Sequence, residues 1–199
     1  MTFGAAIRYN LENLSNFNGR QARDSFWPYA GVVLALAFLG AMLAMVPEIL
    51  STFERVDTFI AENPELATVD RSAGQYSVRI EGSHPELFPD FTIIVTAMSV
   101  VVAVTVALLA AAVTRRLHDR GMSGLWGMAP AVLLLSGLAI FATLFAQMMG
   151  DEGIPNPALF MFGFANNLLY LVSLIFLLVQ LAGSSTTRPT RFGPANGEL

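Results

Sequence analysis

The sequence contains no cysteine and only two histidines, and both scarcities exclude chemistry. Without a thiol there is no disulfide, no thiolate nucleophile and no sulfur ligand for a metal. His84 and His118 lie far apart in the chain, and the topology predicted from charge puts them on opposite sides of a membrane. Because a zinc site brings several ligands to one point, we expect no metal site and no cofactor.

Charge is also scarce, and the places where it is missing indicate the fold. Charged residues make up 13% of the 199 residues, about half their usual share in a soluble domain. A helix of about 20 apolar residues crosses the hydrocarbon layer of a bilayer. Four stretches of 19, 23, 26 and 25 residues have no charged residue at all: 28–46, 91–113, 124–149 and 158–182. We therefore predict an all-α membrane protein, a four-transmembrane-helix bundle over 28–182.

The remaining charges are divided unevenly between the two predicted sides. Segments 1–27, 114–123 and 183–199 hold eight arginines and four acidic residues, a net charge of +4. Segments 47–90 and 150–157 hold three arginines and eleven acidic residues, a net charge of −8. Short loops rich in basic residues stay on the cytoplasmic side. The charge pattern therefore predicts a multi-pass protein with both termini in the cytoplasm.

The segments outside the spans carry weaker patterns. Within 1–27, an amphipathic helix is predicted because Phe3, Ile7, Leu11 and Leu14 share one helical face. Such a helix can lie in the membrane interface or pack beneath the bundle, and both interpretations stay open. Segment 47–90 is predicted to be a small outer cap, helical over 48–62 and strand-like over 75–81. Segment 183–199 is predicted to be a flexible cytoplasmic tail.

Two strings of residues pair arginines with a tryptophan at a predicted membrane edge. Tryptophan prefers headgroup depth, and arginine forms bidentate hydrogen bonds with phosphate. The strings therefore suggest binding of anionic phospholipid or of a partner protein; ordinary topology signals and helix capping are the alternative. Gly121 and Ser123 predict that the second helix extends beyond its span to about Asp119 and that a new helix starts soon after. The candidate residues are Arg20, Arg23, Trp27, Arg115, Arg116, His118, Asp119, Arg120 and Trp126.

The adjacent pair His118 and Asp119 does not predict catalysis. Neighbouring residues on a helix diverge by about 100°, so the two side chains do not face each other. We expect Asp119 to pair with Arg115, Arg20 or Arg23 instead. No catalytic residue is assigned, and the protein is not expected to be an enzyme.

The spans offer little for transport, because coupled transporters usually place ionisable groups within the membrane. The four spans contain no Asp, Glu, Lys, Arg or His, and Asn166 and Asn167 are the best candidates for a polar path. Hydrogen bonding between helices is the alternative role for these amides. Small residues such as Ala103, Ala107 and Ala111 recur at every fourth position, which suits either the bundle or a homo-oligomer.

The two arginine strings resemble the motifs of a bacterial family. Residues 17–27 match F-x-G-R-x-x-R-x-x-F-W, and residues 115–126 match R-R-L-H-D-x-x-x-S-G-x-W. Residues 190–194 match a closing N-R-[YF]-G-P element, with Thr190 in place of asparagine. These motifs are similar to those of the inner-membrane family called "domain of unknown function eight-zero-five", which includes the Yha-type inner-membrane proteins. The resemblance implies a bacterial inner (plasma) membrane protein and supplies no reaction; segment 47–90 is longer than expected for the family.

The sequence thus predicts a non-enzymatic inner-membrane protein with a cytoplasmic arginine-rich surface for anionic phospholipid or a partner protein. A homo-oligomer is compatible with this prediction, and binding to nucleic acid is not expected. Two alternatives remain: a small-solute transporter or channel subunit, and a lipid-headgroup-modifying enzyme. A wet cavity at Asn166 and Asn167 would indicate the first. Convergence of His118 and Asp119 with arginines in a closed pocket would indicate the second.

Overall fold

The computed structural model describes residues 1–72, 74–149 and 155–194. Within these residues the chain forms five α-helices, one β-hairpin and two short 3₁₀ turns. The 3₁₀ turns are Pro85–Leu87 and Gly124–Gly127, and the hairpin strands are β1 (Ala67–Ser72) and β2 (Gln75–Ile80). The helices are α1 (Phe3–Glu12), α2 (Arg23–Glu62), α3 (Phe91–Asp119), α4 (Met128–Met149) and α5 (Pro157–Ala182).

Helices α2 to α5 are each long and apolar enough to cross a membrane. The apolar stretches predicted as spans lie within these four helices, except that 124–127 form the 3₁₀ turn before α4. The predicted all-α membrane fold with four spanning helices is therefore confirmed. Charge-free length predicts the helices well because a span needs only enough apolar residues to cross the hydrocarbon layer.

Helix α2 is much longer than a single span requires. Its 40 residues extend about 60 Å, roughly twice the thickness of the hydrocarbon layer. The helix continues through Pro47, so the helix predicted over 48–62 exists as an extension of the first span. Buried Glu48 accepts hydrogen bonds from Arg55 at 2.8 Å and from the Asp90 backbone N–H at 2.7 Å. These bonds tie the α2 extension to the start of α3.

The β-hairpin follows the α2 extension. Strands β1 and β2 are antiparallel, with Val69 opposite Val78, and Gly74 has a φ of +85° near the turn. The sequence pattern predicted β2 but missed β1. The two strands are equally long, but β1 carries the adjacent charged residues Asp70 and Arg71, which interrupt its alternation of polar and apolar positions.

The helices pack as two pairs, α2 with α3 and α4 with α5. Gly40 of α2 faces α3, where an added Cβ would touch Val101 at 4.0 Å. The best-buried apolar cluster lies at one end of the bundle and joins α2, α3 and α5. It contains Phe26, Tyr29, Ala30, Val33, Ala112, Leu117, Leu177 and Leu181. The arginine strings lie at this same end.

Both terminal segments fold onto this end. Helix α1 buries Ala6 and Asn10, while Phe3 and Leu11 are exposed, so the helix packs on the bundle and also keeps an apolar edge free. The Asn10 side-chain amide donates to the Ser25 carbonyl at 3.2 Å. The described part of the tail, 183–194, is held by hydrogen bonds to the body of the protein. The predicted flexible tail did not include these hydrogen bonds; 195–199 lie outside the described residues.

Candidate functional site: a buried arginine cluster

The two arginine strings meet in a buried cluster at the ends of α1, α3 and α5. We call the side chains of Asn10, Arg20, Gln21, Arg115, Arg116 and Asp119 the arginine cluster. Arg115 is 1% exposed, and Arg116 and Asp119 are 0% exposed. Charged residues are almost never buried this fully unless they are paired, so each charge must find its partners within the protein.

Asp119 joins the two strings through its carboxylate. Its Oδ1 lies 3.1 Å from an Arg20 guanidinium nitrogen, and its Oδ2 accepts a short hydrogen bond from Arg116. The Arg20 side chain is itself only 3% exposed. Arg20, one of the three partners predicted for Asp119, is therefore confirmed. Arg116 was not among the predicted partners, and the carboxylate lies between these two buried guanidinium groups.

Arg115 is held by uncharged oxygen atoms. Its guanidinium donates to Gln21 Oε1 at 3.2 Å and to Asn10 Oδ1 at 2.9 Å. It also donates to the backbone carbonyls of Asn13, at 2.8 Å, and Asn16. These carbonyls follow the end of α1, where backbone acceptors have no intrahelical partner. Arg115 thereby fixes the end of α1 against α3.

Arg116 and Arg120 cap the end of α5. Arg116 donates to the carbonyls of Leu181, at 3.0 Å, and Gly183. Arg120 donates to the Ser184 carbonyl at 2.9 Å and to Gln180 Oε1 at 3.3 Å. The last carbonyls of a helix lack intrahelical partners and carry partial negative charge, so cations are favourable there.

The charges of the cluster are balanced by helix ends as well as by Asp119. Helices α1, α3 and α5 all end at the cluster, and each helix C-terminus acts as roughly half a negative charge. Together with the Asp119 carboxylate, these three ends approximately neutralise the guanidinium groups of Arg20, Arg115 and Arg116. The convergence of three helix C-termini therefore explains why three arginines can be buried beside one carboxylate.

Arg20 also holds the chain after α5. It donates to the carbonyls of Thr186 at 2.6 Å, Arg188 at 3.1 Å and Pro194 at 2.8 Å. The backbone then turns between Thr190 and Gly193, which exchange two hydrogen bonds. The third motif of the sequence therefore belongs to the same assembly as the other two.

The imidazole of His118 faces this tail. Its ring stacks on Phe192 with centroids 3.6 Å apart, and its Nδ1 lies 3.2 Å from the Gly19 carbonyl oxygen. Its contacts are thus with the tail and with the segment before α2. Among the described residues, no group of three histidine, aspartate or glutamate side chains could hold a metal ion.

Glycine allows a close approach between α3 and the 3₁₀ turn of the second motif. An added Cβ at Gly124 would lie 2.8 Å from Thr114 Oγ1, and one at Gly127 would lie 2.8 Å from Val113 Cγ1. Ser123 caps the turn by accepting from the Leu125 N–H at 3.4 Å. The predicted end of α3 at Asp119 is confirmed, with Gly121 at a φ of +75°.

Several arginines at this end of the molecule remain accessible. Arg115 and Arg116 were expected to reach phosphate at the surface, but the structure buries both and binds them to protein oxygen atoms. The side chain of Arg23 is 60% exposed, and Arg188 and Arg191 are also exposed. Arg8 is exposed as well and pairs with Glu12, whose carboxylate raises the pKa of Arg8. Trp27 and Trp126 are exposed at the starts of α2 and α4.

The two asparagines of α5 differ sharply in their surroundings. Asn166 is buried, donates to the Leu133 carbonyl at 2.9 Å and accepts from Ser136 Oγ at 2.8 Å. It therefore joins α4 to α5, as the interhelical alternative predicts. Asn167 is exposed and borders a groove of about 350 Å³ between these helices. The rest of that groove is mostly lined by leucine, phenylalanine and glycine, which does not favour a wet path.

Comparison with known proteins assigns the family. No curated protein and no solved structure is found to match the chain. The family described as "Protein of unknown function (DUF805)" matches residues 14–194. The match includes all three motifs and all four long apolar helices. The arginine cluster is thus built mainly from the region that the family shares, and the chain belongs to the DUF805 family.

Proposed function

We propose that this chain is a non-catalytic inner-membrane protein whose cytoplasmic end forms a folded platform for anionic phospholipid. We define the platform as the exposed residues Arg23, Arg188 and Arg191, with Trp27 and Trp126 at its edge. The observation that carries the proposal is the division between buried and exposed arginines. The buried arginines hold three segments of the chain together, and the exposed ones are left free for phosphate.

Charge supports the orientation and the ligand class. The end of the molecule that carries the platform also carries most of the arginines, as expected for the cytoplasmic side. Anionic lipid there attracts each nearby basic side chain by about 1 kcal/mol. Arg23 is paired with Asp24 at 3.6 Å, and both side chains are largely exposed. Such a surface pair is weak, so Arg23 can exchange this partner for a phosphate.

Helix α1 supports the same membrane contact. Its buried face fixes it to the bundle through Asn10, while Phe3 and Leu11 remain exposed beside it. An amphipathic helix that lies at the interface inserts such residues below the headgroups. Trp27 and Trp126 are suited to the same depth. Apolar insertion and arginine–phosphate contacts would therefore act together at one surface.

The retention of anionic lipid by the purified protein tests the proposal directly. Purified protein in nanodiscs of mixed phosphatidylglycerol and phosphatidylcholine should retain phosphatidylglycerol preferentially in native mass spectrometry. The combined variant Arg23→Gln, Arg188→Gln, Arg191→Gln should reduce that preference by about tenfold or more, since each arginine adds about 1 kcal/mol. Raising the salt concentration should weaken the preference, because exposed charges are screened.

A matched control distinguishes the platform from general charge. Arg79 is exposed on the hairpin, within the acidic segment 47–90 that is predicted to lie on the other side of the membrane. Arg79→Gln should therefore leave the preference for phosphatidylglycerol unchanged. The proposal is wrong if the protein shows no preference for the anionic lipid. It is also wrong if the triple variant keeps the preference, or if Arg79→Gln removes it equally.

A further inference from the structure

One face of α5 carries polar groups where the surroundings are apolar. Asn167 and Tyr170 are three residues apart and both border the groove between α4 and α5. The groove is otherwise lined mainly by apolar residues such as Phe141, Leu144 and Phe164. The two helices pack closely here, since a Cβ on Gly163 would lie 2.9 Å from Ile140 Cγ2. The polar side chains are therefore left at the outer edge of the groove.

Asn167 lies near the middle of its helix. It is ten residues beyond Pro157, about 15 Å along the axis, which is roughly half of a hydrocarbon layer. Within the described chain, neither its side-chain amide nor the Tyr170 hydroxyl has a hydrogen-bond partner, whereas neighbouring Asn166 has two. An amide without a partner in an apolar medium is unfavourable. Its position therefore points to a partner that supplies hydrogen bonds from outside the chain.

We infer that this face of α5 binds the same face of a second copy of the chain, with the two Asn167 amides hydrogen-bonded to each other. An asparagine amide carries both donors and an acceptor, so two identical amides can satisfy each other. A twofold axis through this point brings identical surfaces together, as in most homo-oligomers. Phe164 and Leu171 are exposed on the same side of α5 and provide the packing around the amides.

Water or lipid is a poorer partner than a second α5. A retained water needs two to four polar partners, and the groove offers few among its apolar walls. Hydrocarbon chains offer no hydrogen bond. Amide pairing between helices, in contrast, is an established source of association in membranes. This inference does not depend on the proposed lipid platform, because it concerns another part of the molecule.

Cysteine cross-linking tests the contact in the full chain, which has no cysteine of its own. Leu171→Cys places a thiol on the Asn167 side of α5, and Leu169→Cys places one on the other side. Both positions are exposed. Oxidation of purified protein in liposomes at low protein density should give covalent dimers with Leu171→Cys and none with Leu169→Cys. Adding Asn167→Leu to Leu171→Cys should reduce dimer yield about threefold to fivefold.

The other outcomes overturn the inference. Equal dimer yield at both positions would indicate random collision, and no dimer at Leu171→Cys would show that this face is free. If Ala107→Cys formed dimers and Leu171→Cys did not, the contact would lie at the exposed small residues of α3, Ala103 and Ala107. Dimers unaffected by Asn167→Leu would show that the amide is not the determinant. Because Asn167 is exposed, this variant should insert normally, and its melting temperature checks that it does.

Discussion

At the scale of single residues, Arg115 shows how a buried arginine can hold two segments of a chain together. Its guanidinium is buried and donates to four uncharged oxygens, two from side chains and two from backbone carbonyls. Arginine suits this position because its planar group presents five donors in a fixed fork, whereas lysine has three donors on one nitrogen. All eleven basic residues of the chain are arginines.

We expect Arg115→Lys to destabilise the protein although it preserves the charge. The ammonium group cannot reach all four acceptors, so buried oxygens lose partners and a buried charge is less well compensated. The expected loss is about 2–4 kcal/mol of unfolding free energy, measured by thermal unfolding in detergent. Arg23→Lys is the control, because an exposed substitution should change stability by less than about 0.5 kcal/mol. Equal melting temperatures for the two variants would contradict the structural role of Arg115.

The residue scale also marks the limit of what the sequence predicts. Basic residues beside a span can bind phosphate or cap helix ends, and the local pattern around Arg115 and Arg116 is the same in both cases. Whether these arginines bind phosphate or cap helix ends depends on whether backbone carbonyls without partners lie within reach. The convergence of α1, α3 and α5 brings such carbonyls close. A pairing of Asp119 with an arginine was predictable because few acidic residues lie on that side, but the sequence left Arg20, Arg23 and Arg115 as alternatives and did not indicate Arg116. Asn10 and Gln21 were missed because uncharged polar side chains carry no comparable signal.

At the scale of elements, the connection between α3 and α4 depends on glycine. The 3₁₀ turn Gly124–Gly127 lies against the last turns of α3, with no room for a side chain at Gly124. This turn sets where α4 begins and places Trp126 at the surface, where its ring contacts Phe176 with centroids 5.2 Å apart. Packing and capping thus explain Ser123 and Gly124 of the S-G-x-W motif, whereas Trp126 stays exposed.

We expect Gly124→Ala to destabilise the protein by about 1–3 kcal/mol, because the new methyl group overlaps the Thr114 side chain. Thermal unfolding in detergent measures the loss. Adding Thr114→Ala should recover part of it by removing the atoms that clash. The matched control is Gly31→Ala in α2, where an added Cβ meets nothing within 4 Å; alanine favours helix there. A Gly124→Ala protein as stable as Gly31→Ala would rule out the close approach.

At the scale of the whole molecule, the two ends of the bundle are built differently. The arginine-rich end gathers both terminal segments and the best-buried apolar cluster around one charged network. The other end has the long α2 extension, the hairpin and the tie from Glu48 to Arg55 and Asp90. Sequence reasoning predicts the spans of this architecture because apolar length is a local property. It did not predict the hydrogen bonds that hold 183–194, since they come from Arg20 and Arg116, far away in the chain.

Orientation in the membrane is the prediction that belongs to this scale. The net charges of +4 and −8 on the two sides favour cytoplasmic termini and an exported segment 47–90. Alkaline phosphatase folds only when exported, because its disulfides need an oxidising compartment. Fusions within 60–75 should therefore be active, whereas a fusion after Leu199 should be inactive, and a fluorescent protein at the same two places should give the opposite result. The reverse pattern would place the arginine platform outside the cell, away from the cytoplasmic leaflet, and would refute the lipid proposal together with the topology.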